Sequence, residues 1–268
     1  MHWLRATLTA VLPTRTGQTS GQMAPLPCPD PPVCVIGDLH GRLDLLDRML
    51  DRIAAQITDS PGHADARLVF VGDMIDRGPD SAGVLARLHA LHRSAPARII
   101  CLMGNHERMM LDFLADPARH GPRWIAAGGA ETLTSFGLSP FARNHGTDAW
   151  DLLAAELRRR LTPDVIGWLG TLPLLWRDGA LVVTHAGADP DLPIDAQAPR
   201  RLLWGARHPE RSQQTDGLWV AHGHTITSVP YARAGRISVD TGAWRSGTLS
   251  AAWMDASGLL FFDVSDTN

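Results

Sequence analysis

Short apolar runs, each closed by a glycine and then by a polar cluster, recur along the chain. Val33–Gly37 (VCVIG), Arg67–Gly72 (RLVFVG) and Ala97–Gly104 (ARIICLMG) read as strands. Their β-branched residues suit a buried pleated surface. Between them the period lengthens. Arg42–Gln56 places Leu43, Leu46, Leu50 and Ile53 on one helical face, with Asp44 and Arg48 as an i,i+4 pair. Ser81–His92 and His106–Asp116 read as the second and third helices. Strands alternating with helices predict stacked βαβ units and a parallel sheet.

From Pro117 to Trp176 the periodicity weakens: Asp148–Leu161 reads as a helix, while Trp124–Gly137 follows no clear pattern. This stretch is expected to be a helical insertion covering one side of the sheet. The chain then turns β-rich, through Ala180–His185, Leu218–His222, Arg236–Asp240, Thr248–Asp255 and Leu259–Val264. Strands with helices first and mostly strands later predict two sheets face to face with helices outside. Residues 13–32 are rich in Pro, Gly, Thr and Ser and end in Pro29-Asp30-Pro31-Pro32. They read as a linker, so residues 1–32 are expected to be a flexible arm and 33–268 a single catalytic domain.

Composition narrows the classes. The 268 residues suit one large α/β domain, and 44 % apolar with 20 % charged residues is ordinary for a globular protein. A formal net charge of −3 argues against a general nucleic-acid or membrane-surface binder. All the basic residues other than histidine are arginine, which reads as compositional bias. Cys28, Cys34 and Cys101 form an odd set without CxxC spacing, which argues against a disulfide scaffold or thiolate zinc site. No run approaches the roughly 18 apolar residues that span a bilayer. The first residues superficially resemble a signal sequence, but Arg5, Thr7 and Thr9 interrupt the apolar stretch. A cytoplasmic location is the expectation.

The chemistry lies where the strands end. The first three close on GDLHG (Gly37–Gly41), GDMIDRG (Gly72–Gly78) and GNHE (Gly104–Glu107). Successive strand ends of a parallel sheet project into one crevice, so Asp38, His40, Asp73, Asp76, Asn105 and His106 are expected to converge. THAG (Thr184–Gly187) and AHGHT (Ala221–Thr225) add His185 and His224, with His222 nearby. Singly, each cluster has a plainer reading: a strand-end Asp as a turn former, His185 as a satisfied core histidine, Asn105 as a helix N-cap. Five such clusters together point to a site. Carboxylates, imidazoles and an amide oxygen without thiolates suit divalent Mn, Fe or Zn. The donors are too many for one ion, whereas a pair roughly 3.5–4 Å apart, bridged by one carboxylate, would use them all.

The ordered set GDLHG, GDMIDRG, GNHE, THAG, GHT and DTGAW resembles the metallophosphoesterase superfamily, and within it the short bacterial branch of the serine/threonine phosphoprotein phosphatases. The likeness runs from about Val33 to Val264. It implies a calcineurin-like fold, a four-layer αββα sandwich of two mixed β-sheets flanked by helices. It also implies two divalent ions, with manganese first and Fe, Zn or Mg as the other choices. Asp38 and His40 would bind the first ion, Asp73 would bridge, and Asn105, His185 and His224 would bind the second. His222 reads as a residue behind the ligands or a structural one.

The implied reaction is attack on phosphorus by a hydroxide generated at the dinuclear centre. His106 would be the proton donor to the leaving alkoxide and Asp76 its charged partner, while Arg77 and Asn105 would bind the phosphate. Arg207 is the expected second phosphate arginine, with Arg201 and Arg211 as alternatives. The implied substrates are phosphorylated proteins or small phosphoesters. The rivals are a dinucleoside polyphosphate hydrolase, a phosphodiesterase and a non-catalytic scaffold. Asp76 and Glu107 favour the phosphomonoesterase over the first. Ile226, where the diesterase branches carry a further His, argues against the second.

Overall fold

The computed structural model describes residues 24–59, 61–140, 147–205 and 217–266. Two five-stranded mixed sheets form its centre. The first has the order β10-β9-β1-β2-β3, with β1 Val33–Ile36, β2 Arg67–Phe70, β3 Ile99–Cys101, β9 Thr248–Asp255 and β10 Gly258–Ser265. The second has the order β4-β5-β6-β8-β7, with β4 Leu175–Asp178, β5 Leu181–Thr184, β6 Trp219–His222, β7 Tyr231–Arg233 and β8 Arg236–Ser238. β1, β2 and β3 run parallel, as do β5, β6 and β8.

The two-residue period of a strand divides the core. Val33 and Val35 of β1, Val69 of β2, Leu181 and Val183 of β5, and Trp219 and Ala221 of β6 meet between the sheets. The alternate residues Cys34, Ile36, Leu68 and Phe70 face outward into a helical layer. That layer holds α1 (Leu43–Thr58), α2 (Ser81–Ser94) and α3 (Asn105–Ala115). On α1 the buried stripe is Leu45, Leu46, Met49 and Ile53; Leu43 and Leu50, expected on that face, are only partly covered. The outer face of the second sheet has a thinner cover. Val182 and Val220 meet Ile194, Ala188 and Leu202, the last on the six-residue α7 (Pro199–Trp204).

The segment expected as an insertion contains α4 (Pro117–Trp124), a wide turn over Ile125–Gly129, α5 (Ala130–Ser135) and α6 (Thr147–Thr171), broken at Thr162 before Pro163. It ends earlier than expected, because Leu175–Asp178 is the edge strand β4, antiparallel to β5. The expected N-terminal arm lies outside the described residues up to position 23. From Ala24 the chain is held to the fold: the Trp219 indole donates to the carbonyls of Ala24 (3.2 Å) and Pro25 (2.9 Å), and Pro32 O accepts from Arg67 N–H. Among the described residues no helix is long and apolar enough to cross a membrane.

Candidate active site

The parallel strands of both sheets end at the same side of the molecule, and the loops that leave them interlock. His185 Nδ1 donates across the sheets to Val71 O at 3.0 Å, and His40 Nδ1 donates to Ile75 O at 2.8 Å. Those bonds fix the rings and leave each Nε2 a bare lone pair. Asp73 sits between them, its Oδ2 3.5 Å from His40 Nε2 and its Oδ1 3.4 Å from His185 Nε2. His185 Nε2 also lies 2.8 Å from Asn105 Oδ1 and 3.2 Å from His224 Nδ1. Asp38 accepts the His224 N–H at 3.2 and 3.1 Å. All of these residues but the half-buried His224 are buried.

Atoms that could hold a cation fall into two groups that share Asp73: His40, Asp73 and His106 in one, Asp73, His185 and His224 in the other, with the atoms of each group within 4.8 Å of one another. A common carboxylate between two clusters fits a bridging role. The donor chemistry fits cations. Burial lowers the pKa of His185, holds that of His40 near 3 and, with His185, that of His224 near 4, so these rings are neutral at pH 7. Neutral nitrogens, an amide oxygen and a carboxylate then face one another with few protons to share, a repulsive arrangement unless positive charge lies among them. Asp38 belongs to neither group. Burial, then Asp240 and Asp73, push its pKa well up, which marks a carboxylate short of positive partners.

His106 behaves differently. Its Nδ1 donates to Asp76 Oδ2 at 2.7 Å, and its Nε2 points toward Asp73 Oδ2 at 3.9 Å. Burial alone would lower its pKa, but Asp73 and Asp76 outweigh it and the value is raised. Among these four histidines it is the one whose pKa is raised. Asp76 is wholly buried and is fixed by the Trp124 indole (2.9 Å to Oδ2, 3.2 Å to Oδ1) and the Thr132 hydroxyl (2.6 Å to Oδ1).

Arg77 lies across the mouth of the site. Its Nη1 donates to His40 Nε2 at 3.2 Å, its Nε to Ala127 O at 3.4 Å, and its Cζ sits 5.3 Å from the centre of the Trp244 ring. Gly128 is required there: its φ is 118°, and a Cβ would meet Arg77 Cγ at 2.7 Å. Backbone strain concentrates here as well. Among the described residues seven non-glycine positions have positive φ, and five of them are His40, Asp73, Asp76, Arg77 and His224.

The structure thus brings together Asp38, His40, Asp73, Asp76, Arg77, Asn105, His106, His185 and His224. His222 is buried behind them, its Nδ1 donating to Gly223 O at 3.0 Å, and it joins neither group. Arg207 and Arg211 lie outside the described residues, while Arg201 sits half-buried on α7. The reading of Asn105 as N-cap is corrected: Gly104 holds that position and Asn105 is the first helical residue, which frees its amide for the site.

Several contributors escaped the sequence reading. Glu107, used there only to separate branches, accepts four backbone N–H bonds: Asp73 (2.9 Å), Gly104 (2.9 Å), Met74 (2.8 Å) and Ile75 (3.3 Å). Burial and the neighbouring Asp73 push its pKa up to about 8, yet donors occupy both oxygens, so the geometry holds it as carboxylate. Trp124 and Thr132 come from the stretch without a pattern. Asp240, at the end of β8 in the quoted DTGAW, is buried beside the site and has a pKa pushed up to about 6, mainly by burial. A polar residue after one more apolar strand was the signal for it.

Comparison with known proteins agrees. Residues 31–228 match the family model for calcineurin-like phosphoesterases. The chain is 28 % identical over 229 residues to the asymmetrical bis(5'-nucleosyl)-tetraphosphatase PrpE of Bacillus velezensis, covering 78 % of this chain and 83 % of that one. It is 37 % identical over 97 residues to serine/threonine-protein phosphatase 1 of Salmonella typhimurium, covering 36 % and 38 %. The fold superposes with a TM-score of 0.59 on the cold-active protein-tyrosine phosphatase of a psychrophilic Shewanella species, at 18 % identity and covering 97 % and 88 %. With the family model spanning most of the chain and the ligand-bearing strand ends converging, the chain belongs to the calcineurin-like phosphoesterase family and is a phosphoric ester hydrolase.

Proposed function

We propose that this chain hydrolyses phosphomonoesters, in the manner of a serine/threonine phosphoprotein phosphatase. The observation that supports this reading is the His106–Asp76 pair, an imidazole hydrogen-bonded to a carboxylate that Trp124 and Thr132 immobilise. An alkoxide is a poor leaving group and needs a proton, and this pair can give one.

Asp38, His40, Asp73, Asn105, His185 and His224 would hold two divalent cations, manganese first among Mn, Fe, Zn and Mg. When bound, such a pair supplies Lewis-acid polarisation of the phosphoryl oxygens and the attacking water. The chain does the rest. Arg77, stacked on Trp244, offers planar N–H donors to the phosphoryl oxygens, and the Asn105 amide offers another. Asp76 keeps the proton on His106 Nδ1 and stabilises the charged ring, so that Nε2–H can pass to the departing oxygen. Water adds to phosphorus on the opposite face, and the products are the alcohol and inorganic phosphate. Arg207 is retained as the proposed second phosphate-binding arginine.

The likeness to PrpE supports a second reading, asymmetrical hydrolysis of dinucleoside polyphosphates. There the leaving group is itself a phosphate anion and needs no proton. His106→Ala separates the two. On the first reading, turnover of alkyl phosphates falls about a thousandfold, p-nitrophenyl phosphate suffers far less, and bound metal is retained. Faster turnover of a dinucleoside tetraphosphate than of any monoester, untouched by the substitution, would establish the second instead.

A further inference from the structure

Arg77 is held by little. Its bond to His40 uses a nitrogen that the cation site also claims, and its bond to Ala127 O is long at 3.4 Å. Among the described residues no carboxylate pairs with it. A planar fork of donors needs its plane set if it is to meet phosphoryl oxygens. The surface that sets it is the Trp244 ring, whose centre lies 5.3 Å from Cζ. No hydrogen bond fixes that ring in turn, because the Trp244 Nε1–H is buried without an acceptor among the described residues. The place of the indole therefore follows from the backbone that carries it.

That backbone is α8 (Ala243–Ser246), four residues between Gly242 and Gly247, both at a φ of 69°. A single turn of helix has little stability of its own. At its start Asp240 Oδ1 accepts the Gly242 N–H at 2.8 Å. Arg42 supplies the second hold, donating from Nη1 to Ala243 O at 2.9 Å. Arg42 is buried, and its other contacts are carboxylates: Nε and Nη2 fork onto Asp44 at 2.8 and 2.6 Å, and Nη2 also reaches Asp266 Oδ2 at 2.9 Å. Asp266 follows β10 and closes the far end of α8. Its N–H donates to Gly247 O at 3.0 Å, and a Cβ on Gly247 would collide with its carboxylate. Arg42 also stands two residues after His40 in the chain. One guanidinium thus joins the two neighbours of Arg77, the loop of His40 and the turn of Trp244.

We infer that Arg42 is a positioning residue for phosphate binding: anchored on Asp44 and Asp266, it fixes α8, and α8 holds Trp244 against Arg77. The inference rests on the reading of Arg77 as a donor to the phosphoryl group. It makes Asp266, beyond the last strand, part of what orients that donor.

The test is a double-mutant cycle. Arg42→Lys keeps the charge and loses the fork, and it is made alone and together with Arg77→Ala. Binding of inorganic phosphate to the metal-loaded proteins is measured by calorimetry, beside KM and kcat for p-nitrophenyl phosphate and the metal content. The Nε–H resonance of Arg77, identified by its loss in Arg77→Ala, reports the guanidinium directly. The expected result of Arg42→Lys is phosphate binding weakened and KM raised about tenfold, with metal content unchanged and the Arg77 resonance shifted. In the Arg77→Ala background the same change should add nothing beyond about twofold. An equal loss in both backgrounds overturns the inference, as does loss of metal. So does a fall in stability with phosphate binding and the Arg77 resonance unmoved. Asp266→Ala, at an exposed position, goes through the same cycle with an expected loss of about threefold, and it decides the question if Arg42→Lys does not fold. If Arg77→Ala leaves phosphate binding intact, the reading of Arg77 fails by itself, and the resonance still decides whether Arg42 orients it.

Discussion

The two ends of the first sheet hold buried aspartates in opposite ways. At the end remote from the strand termini, Asp255 closes β9. The register that pairs Val33 with Met254 and Ile36 with Ala251 puts it at the far side of the sheet from Asp38. Its oxygens accept the Trp253 indole at 2.8 Å, the Ser257 N–H at 2.7 Å and the Ser257 hydroxyl at 2.5 Å. Burial alone would raise its pKa, but Ser257 and then Trp253 outweigh it and the value is lowered. At the other end burial pushes up the pKa of Asp38, with Asp240 and Asp73 adding to the rise, and that of Asp240, which follows β8 of the facing sheet, with Asp73 adding to it. The far carboxylate was folded together with its donors. The near ones were folded without enough of them, at a cost that only bound cations would offset.

The sharpest way to break this contrast is Asp73→Asn. Asp73 is the member common to both ligand groups, so its loss should remove metal from the purified protein and lower turnover about a thousandfold. Metal analysis beside kinetics checks it. Full metal content with normal turnover would mean that the near end is merely another set of turns.

Next in size is Glu107→Gln. Glu107 braces the near end as Ser257 and Trp253 brace the far one, except that here the side chain accepts and the backbone of the Asp73 loop donates. A glutamine presents N–H to at least one amide that now meets oxygen, and an unsatisfied buried amide costs about 1–3 kcal/mol. Thermal or denaturant unfolding should show that loss. Metal affinity should fall with it, because the loop holding Asp73 loosens. A stability loss with unchanged metal affinity would separate the brace from the centre.

Much of the near end was legible because each ligand follows an apolar strand and a glycine, a pattern local enough to read in a few residues. The two-sheet architecture followed from the same runs. What braces the ligands was not local. Trp124 reaches Asp76 from 48 positions away, and Thr132 from 56. Their stretch shows no clean period: α4 contains Pro122 and few apolar residues, and the wide turn after it bends at Gly128. β4 and β7 were missed because they are edge strands, half-buried with Arg177, Asp178 and Arg233 among their residues, and alternation fades where one side meets water. Asn105 was open to misreading because sequence alone does not tell an N-cap from a first helical residue when glycine precedes it.

The smallest expected effect comes from Asp255→Asn, and it tests the far end by itself. The amide can still accept from Ser257, but its NH₂ then faces the Trp253 indole, donor against donor, which costs about 1 kcal/mol. The pH dependence has a definite sign. A carboxyl whose pKa is lower folded than unfolded binds more protons in the unfolded chain, so it adds stability above its unfolded value near 3.9 and loses it as pH falls through the folded value. The gap between wild type and variant should therefore be full at pH 7 and close below about pH 4, as read from urea unfolding at several pH values. Turnover at pH 7 should not move, since the donors of Asp255 touch nothing at the strand ends. A loss of activity with stability intact would mean that the far end reports to the near one, and satisfied carboxylates could no longer be read as scaffold.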